Sequence, residues 1–301
     1  MTYSIVARDE KTGQLGVAVQ THWFAVGAMC PWIEAGVGAV ATQSLVEVSY
    51  GPKSLNLLRE GKSALEALEV LLAADKNNAV RQVAIVDARG NIAIHTGMKC
   101  IREAGHQTGK AFSVQANMMK NKTVWPAMAR AFNSTSGNLA DRMLAALNAA
   151  QREGGDIRGK QSAALLVARG DQTDEPWRHV LINIRIDDHP EPLKELERLL
   201  DIQKAYDLMN EGDELLAKEK NEDARKKYTQ AAKLAPELDE LPFWQAVTLA
   251  DTGMLDEALP IFKKIFDKEA GWAELVSRLP AAGLLKDDQD MMRKILSLTS
   301  D

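Results

Sequence analysis

The sequence has few cysteines and no long hydrophobic run. Cys30 and Cys100 are its two cysteines, which are too few for a disulfide framework, so reduced thiols are expected. No apolar stretch approaches the roughly 18 residues that a transmembrane helix needs. The start of the chain also lacks a basic segment followed by an apolar one, the pattern of a signal peptide. These absences predict a cytoplasmic protein without a membrane partner.

An excess of positive charge is also lacking. The net charge is −5, with 37 Lys and Arg against 42 Asp and Glu, which argues against a general nucleic-acid-binding protein. Hydrophobic residues make up 46% and charged residues 26%, proportions typical of soluble globular proteins. The 301 residues suffice for one large domain or two smaller ones.

Glycine and charge divide the chain into two parts. Sixteen of the 20 glycines lie before residue 171. Residues 1–200 carry a net charge of +2, whereas residues 201–301 carry −7. We therefore predict two domains, residues 1–200 and residues 201–301, with the boundary near residues 188–203.

Short β-branched runs and helical patterns alternate in pairs along the first part. Ser63 with Glu66 forms a capping box that marks the start of one helix. Paired hairpins and paired helices do not suit a doubly wound parallel sheet. The pattern predicts an α+β fold in which two antiparallel sheets pack together with helix layers outside. The predicted strands cover residues 3–8, 15–21, 37–42, 80–87, 91–95, 111–118, 161–168 and 180–186, and the predicted helices 51–60, 63–74, 123–133 and 138–153.

The last hundred residues predict helices only and contain an internal repeat of 34 residues. Leu215 recurs as Leu249, and Tyr228 recurs as Phe262. This is the period of tetratricopeptide (TPR) repeats, in which small residues allow paired helices to approach closely. Two helical hairpins in coincidental register are the alternative. Because two units are fewer than such arrays usually need, the repeat must also pack against another part of the chain.

Thr2 is the first candidate for catalytic chemistry. Met ahead of a small residue is commonly removed, which would leave Thr2 at the N-terminus of the first strand. Its α-amine, with a reference pKa of about 7.7–8.0, could then act as the general base for its own hydroxyl. An ordinary Met-Thr start ahead of a strand is the alternative. Ser4 faces the same side of the strand and ranks second as a nucleophile.

Three further segments could complete such a site. Gln43 and Ser44 follow the third strand, where backbone N–H groups could stabilise an oxyanion, or they merely lead into a loop. Asn117 ends another strand and could donate through its amide, or it is a turn former. Asp156 lies in the glycine-rich loop 154–162 and could bind an ammonium group, or the loop is an ordinary helix end with glycine caps.

Other reactive residue types carry weaker signals. Cys30 lies in an apolar stretch and is expected to be a buried small hydrophobe. His106 lies in a glycine-flanked segment that we predict to be a flexible loop, where lining a pocket is the less favoured of its possible roles. The histidines show no metal-ligand spacing, and we predict no metal or organic cofactor.

Several motifs occur in order along residues 1 to about 200. They are Thr2–Asp9, Gly16–Val19, Phe24–Gly27, Ala35–Gln43, Gly154–Val167 and Asp187–Pro192. Together they resemble a bacterial family of unknown function, DUF1028, which is placed in the N-terminal-nucleophile (Ntn) hydrolase superfamily. The resemblance implies a four-layer αββα sandwich and hydrolysis of an amide bond.

In outline the first domain is also similar to proteasome-type subunits. On that outline Thr2 matches the nucleophile, and Gln43 and Ser44 match the oxyanion loop. Asp156 matches the acidic partner of the terminus, and Asn117 falls near a polar residue beside the nucleophile.

The chain departs from the proteasome-type pattern at one point. Those sites keep a Lys near the nucleophile, whereas residues 21–42 contain none. His22 is the candidate that could serve near neutral pH, or it is a packed residue beside Trp23.

The tail carries a resemblance of its own. Residues 242–244, 272–275 and 279–285 resemble a segment often appended to the same family, which has been called a peptidoglycan-binding domain. The expected absence of export favours the helical-repeat interpretation instead.

Two functions from different classes follow. The first is an Ntn-type amidohydrolase that acts on a small amide or peptide-like substrate through Thr2, with Gln43, Ser44, Asn117, Asp156 and His22 in support. The second is an inactive Ntn-like scaffold whose helical tail recruits a protein partner. Exposed sheet edges or the tail could each support a homo-oligomer, and the sequence favours neither.

Overall fold

The structure is a computed structural model that describes residues 2–299 of the chain. The predicted removal of Met1 concerns a residue outside that range. The chain divides into two compact units, with the division between Arg198 and Leu199.

Two antiparallel sheets form the centre of the first unit. The strands are β1 (Thr2–Arg8), β2 (Leu15–Thr21), β3 (Pro31–Glu34), β4 (Gly38–Ser44), β5 (Arg81–Asp87), β6 (Ile92–Thr96), β7 (Gly105–Gly109), β8 (Phe112–Asn117), β9 (Ser162–Ala168) and β10 (Val180–Ile186). One sheet has the order β10-β9-β2-β1-β8-β7, and the other has the order β3-β4-β5-β6. The predicted antiparallel architecture is therefore confirmed.

The two sheets pack face to face through small and β-branched side chains. Val6 and Val17 of the six-stranded sheet belong to the same buried cluster as Ala39, Ala41 and Ala84 of the four-stranded sheet. Alternate residues of a strand point to opposite faces, so the even-numbered residues of β1, from residue 2 onward, face the four-stranded sheet. This geometry directs the side chain of Thr2 into the space between the sheets.

Helices cover the outer face of each sheet. The helices are α1 (Tyr50–Arg59), α2 (Ala64–Ala74), α3 (Val124–Ser134) and α4 (Leu139–Arg152). The first two pack on the four-stranded sheet, and the last two pack on the six-stranded sheet. The predicted capping box is confirmed, because Ser63 accepts a hydrogen bond from the backbone N–H of Glu66 while the Glu66 carboxylate accepts one from the N–H of Ser63.

Two strands lie where the sequence predicts none. β3 is only four residues long, and β7 has the polar sequence Gly-His-Gln-Thr-Gly, so neither shows an apolar alternation. β7 is an edge strand that exists through its pairing with β8. The prediction of a flexible loop at His106 is wrong, because this residue lies in β7 opposite Gln115 of β8 and its Nδ1 lies 2.9 Å from Thr96 Oγ1.

The C-terminal region is helical, as predicted. Its helices are α5 (Pro192–Ala217), which crosses the division, α6 (Asn221–Leu234), α7 (Glu240–Asp251), α8 (Leu255–Phe266), α9 (Gly271–Arg278) and α10 (Gln289–Leu296). Equivalent positions of α6 and α8 are buried, with Ala224 and Tyr228 matching Ala258 and Phe262. Across residues 2–299, no helix is both long enough and apolar enough to span a membrane.

Candidate functional site

Thr2 lies in the middle of the six-stranded sheet, at the end where β1 begins. Its neighbours across the sheet are Thr21 on β2 and Asn117 on β8. Its hydroxyl donates a hydrogen bond of 3.1 Å to Thr21 Oγ1. Only 5% of the residue is exposed, so a reactant would reach the hydroxyl through a cavity rather than from an open surface.

Buried amide side chains hold the backbone of Thr2 in place. Gln43 Nε2 and Asn117 Nδ2 lie 3.3 Å and 3.4 Å from the carbonyl oxygen of Thr2 and donate to it. Both also donate to Oε1 of Gln82, over 2.7 Å and 2.9 Å. Gln43 and Asn117 are thus brought together around Thr2, with their amides directed at its carbonyl group.

The network continues one layer deeper between the sheets. Ser4 donates to Gln43 Oε1 over 2.6 Å, and Gln115 Nε2 donates to Ser4 Oγ over 2.6 Å. The Ser4 hydroxyl thus donates one hydrogen bond and accepts another, which holds it in place as a structural group. This favours Thr2 over Ser4 as the reactive residue. Burying a polar group without a partner costs free energy. These hydrogen bonds therefore also favour one placement of the two sheets against each other.

Sequence reasoning missed two members of this network, Gln82 and Gln115. The strand pattern contained a signal, because Gln82 occupies an inward position on a strand whose other inward residues are apolar, and Gln115 lies between Ser113 and Asn117 on the inward face of β8. Gln82 precedes Ala84 and Val86 on the inner face of β5. A fully buried glutamine needs internal partners, and those partners come from distant strands.

Asp156 lies beyond the N-terminal end of β1. Its carboxylate accepts a hydrogen bond of 3.0 Å from the backbone N–H of His22, which follows β2. Its backbone pairs with Met119, which lies just after β8. Because β1 runs between β2 and β8, these contacts hold the Asp156 carboxylate ahead of Thr2 along the line of the strand.

The Asp156 carboxylate already has a cationic partner. Arg158 donates through its backbone N–H and Nε to Oδ1, over 3.0 Å and 3.1 Å, and through Nη2 to Oδ2 over 2.8 Å. The carboxylate also affects Tyr3 of β1. Burial of the Tyr3 hydroxyl raises its pKa well above the usual value, and the negative charge of Asp156 is the second cause of this rise. Together, Arg158 and the His22 N–H give each oxygen of the Asp156 carboxylate two hydrogen bonds, which is close to the capacity of a carboxylate.

His22 contacts the glycine-rich loop on two sides. Besides its backbone bond to Asp156, its ring Nδ1 lies 3.3 Å from the carbonyl oxygen of Lys160, a hydrogen bond that requires the proton on Nδ1. The half-buried ring thus packs on the loop that carries Asp156. The contacts of His22 tie this loop to the end of β2.

Ser44 ends β4 in a backbone conformation that is unusual for a residue with a side chain. Its φ of 74° lies in the left-handed region, which costs non-glycine residues free energy and often occurs at functional sites. The next N–H, that of Leu45, makes only a long bond of 3.4 Å to Val80 O. The Leu45 N–H is thus weakly bonded within the protein, at a residue that also lines a cavity.

A cavity of about 250 Å³ opens beside Thr2. Its walls include Val26, Met29, Cys30, Ser44 and Val46. Cys30 is buried as predicted, and burial raises the pKa of its thiol to about 12. The cavity is mainly apolar, while the loop that carries Asp156 is polar, so the surroundings of Thr2 combine the two kinds of surface typical of small-molecule sites.

Among the residues that the structure describes, no group of three or more His, Cys, Asp or Glu side chains is arranged to hold a metal ion. The polar groups nearest Thr2 are hydroxyls, amides and one ion pair. This set can orient and polarise an organic ligand through hydrogen bonds.

The fold and the site define a mixed α/β protein with two stacked antiparallel sheets and a buried threonine at the edge of a cavity. The family model of DUF1028, a family of unknown function, matches residues 2–196, and the chain belongs to that family. The crystal structure of the DUF1028 protein SPO2555 from Silicibacter pomeroyi is similar, with 32% sequence identity and a TM-score of 0.60. That similarity covers 66% of this chain and 84% of SPO2555.

A more distant similarity links the chain to Anbu, an ancestral beta-subunit from Yersinia bercovieri. The identity is 14% and the TM-score 0.32, over 63% of this chain and 89% of Anbu, values too low to support an argument about function. No curated protein matches the chain at a significant level.

Proposed function

We propose that this protein is an Ntn-type amidohydrolase that cleaves an amide bond of a small or peptide-like substrate, with Thr2 as nucleophile after removal of Met1. The single observation that carries the proposal is the cavity of about 250 Å³, which Thr2 and Ser44 line together. Acyl transfer requires a nucleophile and donors that stabilise the oxyanion, and the lining of this cavity includes a candidate for each, the Thr2 hydroxyl and the backbone turn at Ser44.

The proposed reaction uses no group outside the chain except water. The Thr2 hydroxyl oxygen adds to the amide carbonyl carbon, and the neutral α-amine, whose reference pKa is about 7.7–8.0, takes the hydroxyl proton. The amine passes this proton to the leaving nitrogen as the C–N bond breaks, which leaves an ester on Thr2. Water then adds to the ester, and its cleavage releases a carboxylic acid and restores the hydroxyl.

Backbone N–H groups near Gln43 and Ser44 would stabilise the oxyanion. The left-handed conformation at Ser44 and the long hydrogen bond of the Leu45 N–H support this assignment. Removing one such donor from an acyl-transfer enzyme typically lowers kcat about 100- to 1,000-fold. Gln43 itself would act as a positioning residue, since its amide is engaged with the Thr2 carbonyl.

Asn117 and Asp156 would orient the new ammonium group. Asn117 Oδ1 is a buried acceptor that has no hydrogen-bond partner within residues 2–299, although the Nδ2 of the same amide is bonded to Gln82. An ammonium at Thr2 would supply the missing donor. It would also compete with Arg158 for the Asp156 carboxylate, while His22 would keep that carboxylate in position through its backbone N–H.

The fold and the tail carry proposals of the same kind. The layer order of helices, sheet, sheet and helices supports assignment of the first unit to the Ntn-hydrolase αββα class. For the second unit we propose a TPR-like repeat that recruits a protein partner, supported by the buried equivalents Tyr228 and Phe262. Peptidoglycan binding is the competing proposal for this unit, and sedimentation of the full chain with purified peptidoglycan would distinguish them.

A specific observation favours the alternative of an inactive scaffold. Arg158 and the His22 N–H together occupy both oxygens of Asp156, so no oxygen is left for the Thr2 amine unless Arg158 moves. In that case the first unit would be a stable platform and the cavity would bind a ligand without cleaving it.

Intact-mass analysis and a covalent probe would test the proposal. Native protein should lack Met1 and should form one ester with a β-lactone, mapped to Thr2. Thr2→Ala should form none and Thr2→Ser should still react, whereas the control Thr12→Ala, in the exposed turn after β1, should react like the wild type. Retention of Met1, or an adduct mapped only to Cys30, would refute the nucleophile assignment.

A further inference from the structure

The cavity beside Thr2 has a composition that selects among substrates. Val26, Met29, Cys30 and Val46 contribute apolar side chains to its lining. Every residue from the described part of the chain that lines the cavity is uncharged. The hydroxyl of Thr42 is already used, because it donates to the carbonyl oxygen of Glu47 over 3.1 Å.

We propose that this cavity receives the side chain of the acyl half of the substrate, and that this side chain is uncharged and apolar, of the size of an isobutyl or benzyl group. The inference rests on the proposed function, since Thr2 must attack the carbonyl group to which that side chain is attached.

The position of the cavity next to Thr2 indicates that it receives the acyl half of the substrate. The acyl carbon becomes bonded to the Thr2 hydroxyl oxygen, and its own oxygen turns towards the backbone at Ser44. Both residues line the cavity, so a substituent next to that carbon enters it directly. The geometry does not require the leaving amine to enter this cavity.

Volume and charge set the chemical class. An apolar cavity of about 150 Å³ in another protein admits benzene, so about 250 Å³ leaves room for a phenyl or branched aliphatic group. A carboxylate or ammonium in the same space would lose its hydration without gaining a partner. Trp23 and Leu45, both more than half exposed, extend the apolar surface of the site outward.

A matched substrate series tests the class. The substrates are aminomethylcoumarin amides of N-acetylated leucine, phenylalanine, glutamate and lysine, which share one leaving group. The leucine and phenylalanine amides should exceed the charged ones in kcat/KM by about 100-fold or more. Turnover of the glutamate or lysine amide at an equal rate would overturn the inference while leaving the proposed function intact.

Two neighbouring valines provide a variant and its control. Val46 lines the cavity and Val48 does not, yet both lie on the loop after β4 with similar exposure, 36% and 37%. Val46→Asp should shift the lysine-to-leucine ratio of kcat/KM by at least about tenfold towards lysine, because it adds a carboxylate at the cavity wall. Val48→Asp should leave the ratio unchanged, and an equal shift in both variants would count against the cavity.

A binding measurement separates this inference from catalysis. Thr2→Ala protein with ¹³C-methyl methionine should show a shifted Met29 methyl signal on addition of N-acetyl-leucinamide or N-acetyl-phenylalaninamide. The lysine and glutamate counterparts should produce no shift at tenfold higher concentration. If Thr2→Ala binds the apolar amides selectively while the wild-type protein hydrolyses none of the four substrates, the apolar class of the cavity's ligand is supported and the proposed hydrolase is contradicted. Absence of apolar selectivity would refute the cavity assignment.

Discussion

Gln43 donates a hydrogen bond of 2.7 Å from Nε2 to Oε1 of Gln82, its direct neighbour across the four-stranded sheet. The same Gln82 oxygen accepts from Asn117 of the other sheet, so one side chain joins the two sheets at the level of Thr2. Its Nε2 donates in turn to the carbonyl oxygen of Ala116 over 3.0 Å. The position of the Thr2 backbone therefore depends on Gln82 through the two amides that Gln82 shares with the Thr2 carbonyl group.

Gln82→Met should destabilise the protein strongly. The variant keeps a similar volume but leaves the amides of Gln43 and Asn117 without their shared acceptor. Each unsatisfied buried group costs about 1–3 kcal/mol, so we expect the free energy of unfolding in urea to fall by about 2–6 kcal/mol. Gln107→Met, on the exposed edge strand β7, is the control and should change it by less than about 0.5 kcal/mol. Equal effects would contradict the role of the network.

The pair Asp156 and Arg158 should show strong energetic coupling. The Asp156 side chain is fully buried, whereas the Arg158 side chain is 26% exposed. A double-mutant cycle with Asp156→Ala and Arg158→Ala should give a coupling energy of about 1–3 kcal/mol in urea unfolding. The exposed pair Arg185 and Asp187 should give less than about 0.5 kcal/mol in the same cycle. Comparable coupling in both pairs would show that the Asp156 environment is not distinctive.

Asp75 should make stability depend on pH in the acid range. The Arg81 side chain donates to Asp75 over 2.8 Å, and this hydrogen bond lowers the pKa of the carboxyl. A lowered folded-state pKa means that the stabilisation is fully present above the unfolded value of about 3.9 and is lost as the pH falls through the folded value. The difference in unfolding free energy between wild type and Asp75→Asn should therefore shrink between pH 6 and pH 2. A difference that stays constant over this range would refute the assignment.

Cys30 should resist alkylation in the folded protein. Burial raises the pKa of its thiol to about 12, so only about one molecule in ten thousand carries a thiolate at pH 8. Iodoacetamide at pH 8, followed by peptide mass mapping, should leave Cys30 unmodified over a period in which the urea-unfolded protein reacts fully. Rapid modification of native Cys30 would mean that the cavity wall opens. It would also make Cys30 a competing target for the β-lactone.

The sequence predicted the local structure of the first unit well where local interactions are sufficient. The capping box at Ser63 forms as predicted, because both of its hydrogen bonds lie within four consecutive residues. The strands that carry β-branched apolar runs also form close to their predicted bounds, since such runs favour a strand that is buried on both faces. β7 does not show this pattern, and its pairing with β8 supplies the hydrogen bonds that its sequence does not signal.

The candidate site was predicted less completely. The sequence pointed to Thr2, Asn117 and Asp156 because each occupies a strand end or a glycine-rich loop. It did not indicate that Arg158 occupies the Asp156 carboxylate, a contact that depends on side-chain conformation. It also did not indicate Gln82, whose importance arises from partners 35 to 39 residues away along the chain.

By itself, the sequence determined the α+β character, the helical C-terminal region and the polar residues at the end of β1, because periodicity, capping and turn preferences act over a few neighbouring residues. Only the tertiary structure decided that Thr2 opens onto an uncharged cavity of about 250 Å³ and that buried amides hold its backbone. Those properties depend on the packing of two sheets whose strands are remote in sequence. The volume between such surfaces is set by all of their side chains together.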